Sequence, residues 1–467
     1  MTSRALAPRE IRLSAMIGGG PRYGHDVVTM CPECLLTIPG RVTSTPAGVV
    51  MRKTCPEHGS YESLIATDVA SYERMRRSPR FVKLPEHVRM PVDKGCPDDC
   101  GLCPAHEQHT CLAIVEITDR CNLPCPVCLA SATAKGAQMS CEQVLHALQA
   151  LLDGEGQAVP LQFAGGEPTL HPELLDIVRG ARALGFGKME IDSNGLLLAR
   201  DAALAVELRA AGLTGVYLQM DGLAAEEHAF IRGRDLTGEK MQAIANCRDA
   251  GLQIVLSVTV VPGVNDQSMW SLIRFATEQR LTGINFQPVV LSGRYPRELA
   301  HGHRRLTATH FMRAVERQSE GQLRATDFMP MSCPDPRCGL LSYVLVDKGG
   351  RMLPLARLVG DESLREHVAD FSDWDTVLRQ LGCEGGGCGC GDGDARQQLA
   401  DALEGADFFS IGFHGMMDAL CFDQERARRC CVHKLTADGR LMPFCLYNMK
   451  YRLNDPGLGG PSTAIGT

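Results

Sequence analysis

One stretch of the sequence decides the fold: LAIVEITDRCNLPCPVC, residues 112–128. Its first seven residues form an apolar run with the length and composition of a buried β-strand. The remainder places Cys121, Cys125 and Cys128 in a C-x3-C-x2-C spacing directly after that strand. Three thiolates on one tight loop can hold three irons of a 4Fe-4S cluster and leave the fourth iron open. A zinc site or plain buried thiols would also explain this spacing.

Short apolar strands alternate with helical patterns throughout the middle of the chain. The predicted strands are Leu112–Thr118, Pro160–Phe163, Lys188–Asp192, Gly215–Gln219, Gln253–Val260 and Gly283–Pro288. The predicted helices are Cys141–Leu152, Pro172–Leu184, Asp201–Ala211, Lys240–Ala250 and Asp266–Gln279. Strict β/α alternation indicates an α/β fold with a parallel sheet and right-handed crossovers. Functional residues are therefore expected at the carboxyl ends of the strands.

A second motif, Gly165-Gly166-Glu167-Pro168, follows the second predicted strand. A glycine pair lets the backbone come close to a ligand. Together with the cysteine triplet and the six-fold alternation, it resembles the radical S-adenosylmethionine (SAM) superfamily. Those enzymes carry such a triplet on the loop after the first strand of a partial (β/α)6 barrel and a GGE-type motif after the second. A valine, Val127, stands where that family often has an aromatic residue.

The resemblance implies a chemistry and a set of residues. Cys121, Cys125 and Cys128 would ligate the cluster, and SAM would chelate the open iron. One electron then cleaves SAM to methionine and a 5′-deoxyadenosyl radical, which attacks an unactivated C–H bond. The residues that the resemblance places around SAM are Gly165, Gly166, Glu167, Ser193, Asn194, Gln219, Asp221, Thr259 and Gln287.

Composition limits the function classes. The 467 residues are 44% hydrophobic and 22% charged, which is typical of a soluble globular protein of two to three domains. The net charge of −7 gives no electrostatic reason to expect nucleic acid, and no apolar run is long enough to span a membrane. No secretory signal is evident, so we expect a cytoplasmic protein in which 21 clustered cysteines bind metals rather than form disulfides.

Two further cysteine motifs lie upstream of the barrel. Cys31, Cys34, Cys55 and His58 have the C-x2-C-x20-C-x2-H spacing of a metal ribbon that holds one zinc or one iron, with His58 as ligand or bystander. The second motif repeats the C-x3-C-x2-C spacing without a strand or a glycine motif; its residues are Cys96, Cys100 and Cys103. We interpret it as an auxiliary cluster with Cys111 as a possible fourth ligand. A structural zinc knot is the alternative.

The downstream cysteines narrow the resemblance to one branch, that of archaeal tetraether lipid synthase and the class D radical SAM methyltransferases. This branch implies a third cluster, whose ligands would be Cys333, Cys338 and two of the three cysteines Cys430, Cys431 and Cys445. The expected cofactors are the SAM-binding 4Fe-4S cluster, SAM, two auxiliary 4Fe-4S clusters and one mononuclear iron or zinc. The auxiliary clusters would form an electron path or be structural. The predicted domains are 1–110 with the ribbon and second triplet, 111–300 with the radical SAM core, and 301–467 with the auxiliary cluster.

The resemblance favours carbon–carbon bond formation. Lipid-chain coupling is the main expectation, and methyl transfer to a pterin or other small molecule is the alternative. The expected partners are a small-molecule or lipid substrate and an electron donor such as ferredoxin or flavodoxin. Two other classes stay open: a non-catalytic iron–sulfur electron carrier or scaffold, which would need no SAM pocket, and a zinc-ribbon nucleic-acid modifier.

Other residues have plainer interpretations. The glycine-rich segment from Cys383 to Cys390 is either a metal-binding cap or an exposed loop. Cys141, Cys247 and Cys421 lie in helical patterns and are expected in the core. His106 and His109 are interpreted as hydrogen-bonding core groups.

Overall fold

The structure, a computed structural model, describes residues 24–452 except 81, 88–89, 297–298, 300–304 and 360–405. The segment from Cys383 to Cys390 therefore lies outside the described residues. No helix among the described residues is long and apolar enough to cross a membrane.

The N-terminal region forms a separate four-stranded antiparallel sheet, the ribbon sheet. Its strands, in spatial order, are β1 (Gly24–Met30), β2 (Thr37–Thr45), β3 (Gly48–Cys55) and β4 (Gly59–Ala66). Helix α1 (Val69–Arg77) follows, and the Asp68 side chain caps its first turn by accepting from Ser71 N. The turn after β1 and the turn after β3 carry the two halves of the predicted metal motif, so the sheet brings them together.

The middle of the chain confirms the predicted parallel sheet. Its strands are β5 (Leu112–Thr118), β6 (Leu161–Gly165), β7 (Met189–Ser193), β8 (Gly215–Gln219), β9 (Gln253–Val260) and β10 (Gly283–Pro288), and sequential neighbours pair in parallel. Its helices are α2 (Cys141–Glu155), α3 (Leu174–Ala183), α4 (Leu196–Arg200), α5 (Ala202–Ala211), α6 (Ala225–Arg232), α7 (Thr237–Asp249) and α8 (Met269–Glu278). The sequence analysis missed α4 and α6, which are too short to show a helical period.

The C-terminal region extends the same sheet. Its strands are β11 (Met329–Pro330), β12 (Gly339–Val346), β13 (Met352–Pro354), β14 (Asp407–His414), β15 (Val432–Leu435) and β16 (Leu441–Pro443). Its helices are α9 (Ala308–Gln318), α10 (Ala356–Val359), α11 (Gln424–Arg428) and α12 (Phe444–Leu446). β14 pairs in parallel with β10, and β15 pairs in parallel with β5. The strands before and after residue 300, the predicted domain boundary, therefore belong to one sheet.

The carboxyl ends of these parallel strands form one edge, which carries the functional residues. Below that edge, apolar residues from the strands and the surrounding helices make the main core; Phe163, Leu256 and Phe286 in it are fully buried. Cys247 is buried in this core, as predicted, and Cys141 is half-buried at the start of α2. Cys421 is buried as well, but it lies in a turn rather than in the predicted helix.

Candidate active site and metal centres

The loop with the first cysteine triplet leaves the carboxyl end of β5 and is held by an arginine from the loop after β10. The backbone groups of Cys128 and Arg294 exchange hydrogen bonds of 2.8 and 2.9 Å. Arg294 also donates from Nε to the Cys125 carbonyl at 2.7 Å and from Nη2 to the Ala132 carbonyl at 3.1 Å. Arg294 thus fixes the backbone around the predicted cluster ligands. No sequence motif pointed to it, because it is 166 positions from Cys128.

The three thiols lie together in an apolar environment. Cys121 and Cys125 are buried beside Leu123 and Leu196, and Cys128 packs against the same group. Burial raises the pKa of Cys121 to about 11 and also raises the pKa of Cys125. Because metals bind thiolates, cluster assembly here must release protons. A set of three sulfur donors in an apolar setting fits an iron–sulfur cluster.

The glycine pair is required by the packing of the chain itself, whatever its predicted approach to a ligand. Gly165 has φ of +133°, and a Cβ on it would lie 2.0 Å from the Thr118 carbonyl oxygen. A Cβ on Gly166 would lie 2.3 Å from the Arg120 carbonyl oxygen. Gly166 N donates to Thr118 O at 2.7 Å. The two glycines therefore let the end of β6 pack directly against the start of the cysteine loop.

Glu167 connects the glycine motif to the end of β7. Its buried carboxylate accepts from Ser193 Oγ at 2.8 Å and from the Asn194 backbone nitrogen at 2.7 Å. It also accepts from the backbone and the hydroxyl of Thr169, at 3.1 and 2.5 Å. Asn194 Nδ2 in turn donates to Asn122 Oδ1 at 2.7 Å. Glu167 thus positions the polar residues of β7 beside the cysteine loop.

A buried ion pair joins the ends of β8 and β9. Arg232, at the end of α6, donates from Nε and Nη2 to the Asp221 carboxylate at 2.6 and 2.9 Å. It also reaches Thr259 Oγ1 at 3.0 Å and the Val127 carbonyl on the cysteine loop at 3.3 Å. The Arg232 guanidinium counteracts the effect of burial and keeps the pKa of Asp221 below its usual value. Arg232, which the sequence analysis missed, therefore connects three segments of the predicted site: the cysteine loop, the residues after β8 and the end of β9.

Lys240 closes this network from helix α7. Its Nζ donates to the Asn194 carbonyl at 2.5 Å and to Gln219 Oε1 at 3.1 Å. The side chain is completely buried, and burial lowers its pKa to about 8. Gln219 also contacts Asp221. Of the predicted SAM-site residues, one lies in a different group: Gln287 donates to Tyr217 Oη at 2.7 Å, beside Asn285.

Replacing Arg232 with Lys is expected to lower SAM cleavage by at least about tenfold. Lysine keeps the positive charge beside Asp221 but lacks the planar fork that reaches Thr259 and Val127 at once. Each hydrogen bond to a charged group stabilises its partner by about 1.5–3 kcal/mol. A loss of about 1.4 kcal/mol corresponds to a tenfold change in an equilibrium or rate constant. The measurement is 5′-deoxyadenosine formed per cluster. Arg234→Lys, at a more exposed arginine two positions away, is the control, and equal rates in both variants would contradict the assigned role.

The predicted ribbon motif forms a compact four-ligand group. The ligand atoms of Cys31, Cys34, Cys55 and His58 all lie within 4.8 Å of one another. Cys34 Sγ is 3.9 Å from Cys55 Sγ, and His58 Nδ1 is 3.5 Å from Cys55 Sγ. These spacings fit a single tetrahedral ion with bonds of about 2.0–2.3 Å. The contacts of His58 Nδ1 with Cys31 and Cys55 put this ring nitrogen among the three thiols, where it could serve as the fourth ligand.

The Cys34→Ser variant is expected to lose the ribbon metal while keeping SAM cleavage. The hydroxyl is a poor ligand for a soft metal site, whereas the ribbon sheet shares no strand with the sheet that carries the cluster loop. Metal analysis and 5′-deoxyadenosine assays test this on the same sample. Cys141→Ser, at a half-buried thiol outside the metal groups, is the control. Full metal retention in Cys34→Ser would remove Cys34 from the ligand set.

A second compact group contains Cys111, which the sequence analysis combined with the second triplet. Cys111 Sγ lies 2.9 Å from Cys333 Sγ and 3.4 Å from His109 Nε2. Cys431 shares hydrogen bonds with both cysteines, and burial raises its pKa. Cys333 is therefore a direct neighbour of Cys111, and a role of Cys111 as ligand to the second triplet stays a prediction. His109, interpreted from sequence as a core group, stands among possible metal ligands.

The remaining auxiliary cysteines fall into two sets. Burial raises the pKa of Cys100, and its neighbours Cys96 and Cys103 raise it further. Burial likewise raises the pKa values of Cys430 and Cys445, and Cys338 adds to both shifts, so these three thiols lie near one another. Among the cysteines predicted for the third cluster, Cys333 and Cys431 thus contact Cys111, and the choice of ligands stays a prediction.

Sequence comparisons agree with this architecture. The sequence model described as Radical SAM superfamily matches residues 115–276, and the one described as HMPTM N-terminal zinc ribbon domain matches residues 24–67. The chain belongs to the radical SAM superfamily and is a radical SAM enzyme. It is 32% identical to the 7,8-dihydro-6-hydroxymethylpterin dimethyltransferase of Methanocaldococcus jannaschii, over 91% of this chain and 93% of that protein.

More distant similarities cover less than half of this chain. The chain is 32% identical to the GTP 3′,8-cyclase of Chlorobaculum tepidum over 36% of this chain and 50% of that protein. Among solved structures it is similar to Streptococcus suis SuiB bound to S-adenosylmethionine, at 14% identity and a TM-score of 0.37, over 45% of this chain and 47% of that chain. Membership of the superfamily implies a 4Fe-4S cluster and SAM as cofactors.

Proposed function

We propose that the chain is a radical SAM methyltransferase whose substrate is a reduced pterin. The observation that carries this proposal is the 32% identity to the pterin dimethyltransferase along nearly the full length of both proteins. The ribbon adds support, because the matching ribbon model bears the description HMPTM. Both findings favour the methyl-transfer alternative of the sequence analysis over lipid-chain coupling, the main expectation. A non-catalytic carrier would not need the polar network around the cysteine loop.

The first triplet is our choice for the SAM cluster. Cys121, Cys125 and Cys128 would hold it, with Arg294 fixing their loop. When bound, the cluster and SAM supply the 5′-deoxyadenosyl radical that activates a C–H bond. The residues that we assign to the SAM pocket are Gly165, Gly166, Glu167, Ser193, Asn194, Gln219, Asp221, Thr259 and Gln287. Glu167, Asp221 and Arg232 act in it as positioning residues.

The other cysteine groups would hold further metal centres. We assign one zinc or iron to the ribbon, and the name of the matching domain favours zinc. The second triplet, the Cys111–Cys333–Cys431 group and the Cys338–Cys430–Cys445 group supply sulfur for auxiliary iron–sulfur centres. A small redox protein such as ferredoxin or flavodoxin would deliver the electron. Arg426 donates from Nε to Cys338 Sγ at 3.3 Å, and hydrogen bonds to sulfur raise cluster potentials.

The test is an anaerobic turnover with reconstituted full-length protein. SAM, dithionite and 7,8-dihydro-6-hydroxymethylpterin are combined, and mass spectrometry follows 5′-deoxyadenosine and the pterin. SAM that is cleaved to 5′-deoxyadenosine leaves its methyl group in methionine, so each methyl group on the pterin must come from a further donor molecule. A second SAM, supplied in excess and followed as S-adenosylhomocysteine, is that donor here. We expect the pterin to gain one or two methyl groups in step with 5′-deoxyadenosine. A parallel incubation with archaeal-type lipids separates the alternatives. Coupled lipid chains without a methylated pterin would overturn the proposal in favour of lipid-chain coupling.

A further inference from the structure

The two faces of the parallel sheet differ in their accessibility. In β7, Met189 and Ile191 belong to the main core and are at most 1% exposed. Glu190 and Asp192 alternate with them and remain partly accessible, and β14 shows the same alternation. The buried face packs against the surrounding helices, so the accessible face lines the interior of the barrel. Carboxylates on this face indicate that the interior is open to solvent or a ligand rather than filled by apolar side chains.

Polar side chains from four strands meet on this interior face. Gln162 of β6 is the register neighbour of Glu190 and donates to its carboxylate at 2.8 Å. Tyr217 of β8 is the register neighbour of Asp192. The Tyr217 hydroxyl accepts from Asn285 Nδ2 of β10 at 2.5 Å. The interior is therefore lined by polar groups from β6 to β10.

Asp192 differs from another carboxylate of this face, that of Glu116. Despite burial, ion pairs with Arg452 at 2.6 Å and Lys434 at 2.5 Å lower the pKa of Glu116 to about 2. Among the residues that the structure describes, no donor and no cation contacts the Asp192 carboxylate, and burial raises its pKa to about 6. Enclosing a carboxylate without a partner costs free energy. The chain thus retains an acceptor that its own fold does not use.

A second unused acceptor lies on the same face. Asn285 is 7% exposed, and its Nδ2 contacts the Tyr217 hydroxyl and His414 Nδ1, the latter at 3.0 Å. Its Oδ1 is buried and has no hydrogen-bond partner within the described part of the chain. Buried polar atoms normally have partners. A ligand that satisfies both Asp192 and Asn285 Oδ1 must bring several N–H donors.

These acceptors lie next to the residues that we assign to the SAM pocket. Asp192 precedes Asn194 by two residues, which is about 7 Å along a strand, and Glu167 holds the Asn194 backbone. Gln287, also assigned to that pocket, donates to the Tyr217 hydroxyl at 2.7 Å. A molecule bound to Asp192 therefore extends toward the edge of the sheet where the radical is generated.

We propose that Asp192 binds the aminopyrimidinone edge of the pterin and thereby selects this substrate. This inference rests on the proposed function and deepens it, because it names the residue that recognises the substrate. The 2-amino group and the adjacent ring N–H are two parallel donors, which match the two oxygens of a carboxylate. Asn285 Oδ1 accepts a further N–H. The pyrimidinone ring carries no C–H bond, so a pterin anchored at this edge points its reactive C–H bonds toward the SAM pocket.

The test compares two ligands, 7,8-dihydro-6-hydroxymethylpterin and its analogue in which a carbonyl oxygen replaces the 2-amino group. Anaerobic titration of the reconstituted full chain in the presence of SAM measures both affinities. The wild type is expected to bind the pterin at least about tenfold more tightly than the analogue, because the analogue lacks one hydrogen bond to a charged group. In Asp192→Asn this preference is expected to disappear, since an amide offers one donor and one acceptor and pairs with either edge.

Asp176→Asn, at an exposed position on α3, is the control and should keep the wild-type preference. Iron content is measured for every sample. If Asp192→Asn keeps the preference, or if the wild type has none, Asp192 does not recognise the pterin and the proposed function stands. If the wild type cleaves SAM but neither binds nor methylates the pterin, the proposed function itself fails. If Asp192→Asn loses iron, Asp192→Ser decides by the same comparison.

Discussion

The Cys125→Ala enzyme is expected to form no 5′-deoxyadenosine. Cys125 is the middle thiol of the triplet, and with two ligands left the loop cannot hold three irons of a cluster. The thiol is buried, so no solvent ligand replaces it easily. The measurement is 5′-deoxyadenosine from reduced, reconstituted protein with SAM, combined with the electron paramagnetic resonance spectrum of the reduced clusters, which should lose one component and keep the others.

Cys247→Ala is the matched control for this variant. Cys247 is another buried cysteine of the barrel region, but it packs in the main core. Its replacement removes a sulfur and leaves a small cavity, so a modest loss of stability is expected and SAM cleavage should persist. If Cys125→Ala cleaved SAM at the wild-type rate, the first triplet could not hold the SAM cluster. The second triplet would then be the candidate for that cluster.

The Arg337→Met variant is expected to lose about 3–5 kcal/mol of the free energy of unfolding. The side chain of Arg337 is 3% exposed and binds Asp335 at 2.7 Å, Asp423 at 2.8 Å and Glu425 at 2.9 Å. Asp335 is completely buried, and Arg337 keeps its pKa well below the usual range. Removing the cation takes the nearest partner from the buried carboxylates of Asp335 and Asp423; Asp335 keeps only a longer contact with Arg429, at 3.4 Å. Breaking such a buried pair typically costs this amount.

Urea denaturation of the full chain measures this effect, with the metal content determined for each sample. Arg274→Met removes an arginine from an exposed pair with Glu278, in which both side chains are about 60% exposed. A change below about 0.5 kcal/mol is expected there, because solvent already screens the pair. An equal loss of unfolding free energy in the two variants would mean that the ion pairs of Arg337 stabilise the fold no more than an exposed ion pair does.

The barrel and its cysteine loop could be predicted because their signals are local. The predicted bounds of β5, β8, β9 and β10 agree with the structure residue for residue, since each is a short apolar run followed by a loop or turn. Helix α2 begins at Cys141, as predicted, and Ser140 and Gln143 form a capping box at its start. The helices α4 and α6 were missed because five or eight residues carry too little periodicity.

Part of the site was predicted and part was not. Six predicted residues lie at the carboxyl ends of strands or within two residues after them, and the structure brings them into one network: Glu167, Ser193, Asn194, Gln219, Asp221 and Thr259. The two cations that join this network, Arg232 and Lys240, lie on helices, where a charged residue ordinarily indicates a solvent-facing position. Only the fold shows that these two side chains turn inward to the ends of β7, β8 and β9.

The sequence by itself determined the radical SAM core, the ribbon motif and the spacing of the cysteine triplets, because each depends on residues close together in the chain. The tertiary structure alone decided how distant parts combine. Cys111 meets Cys333 across 222 positions, and Lys53 meets Ala419 across 366. Strands β14 and β15 join opposite edges of the six-stranded sheet. Such contacts form because buried polar and sulfur groups must find partners in the folded core, and no local period in the sequence records which partner that is.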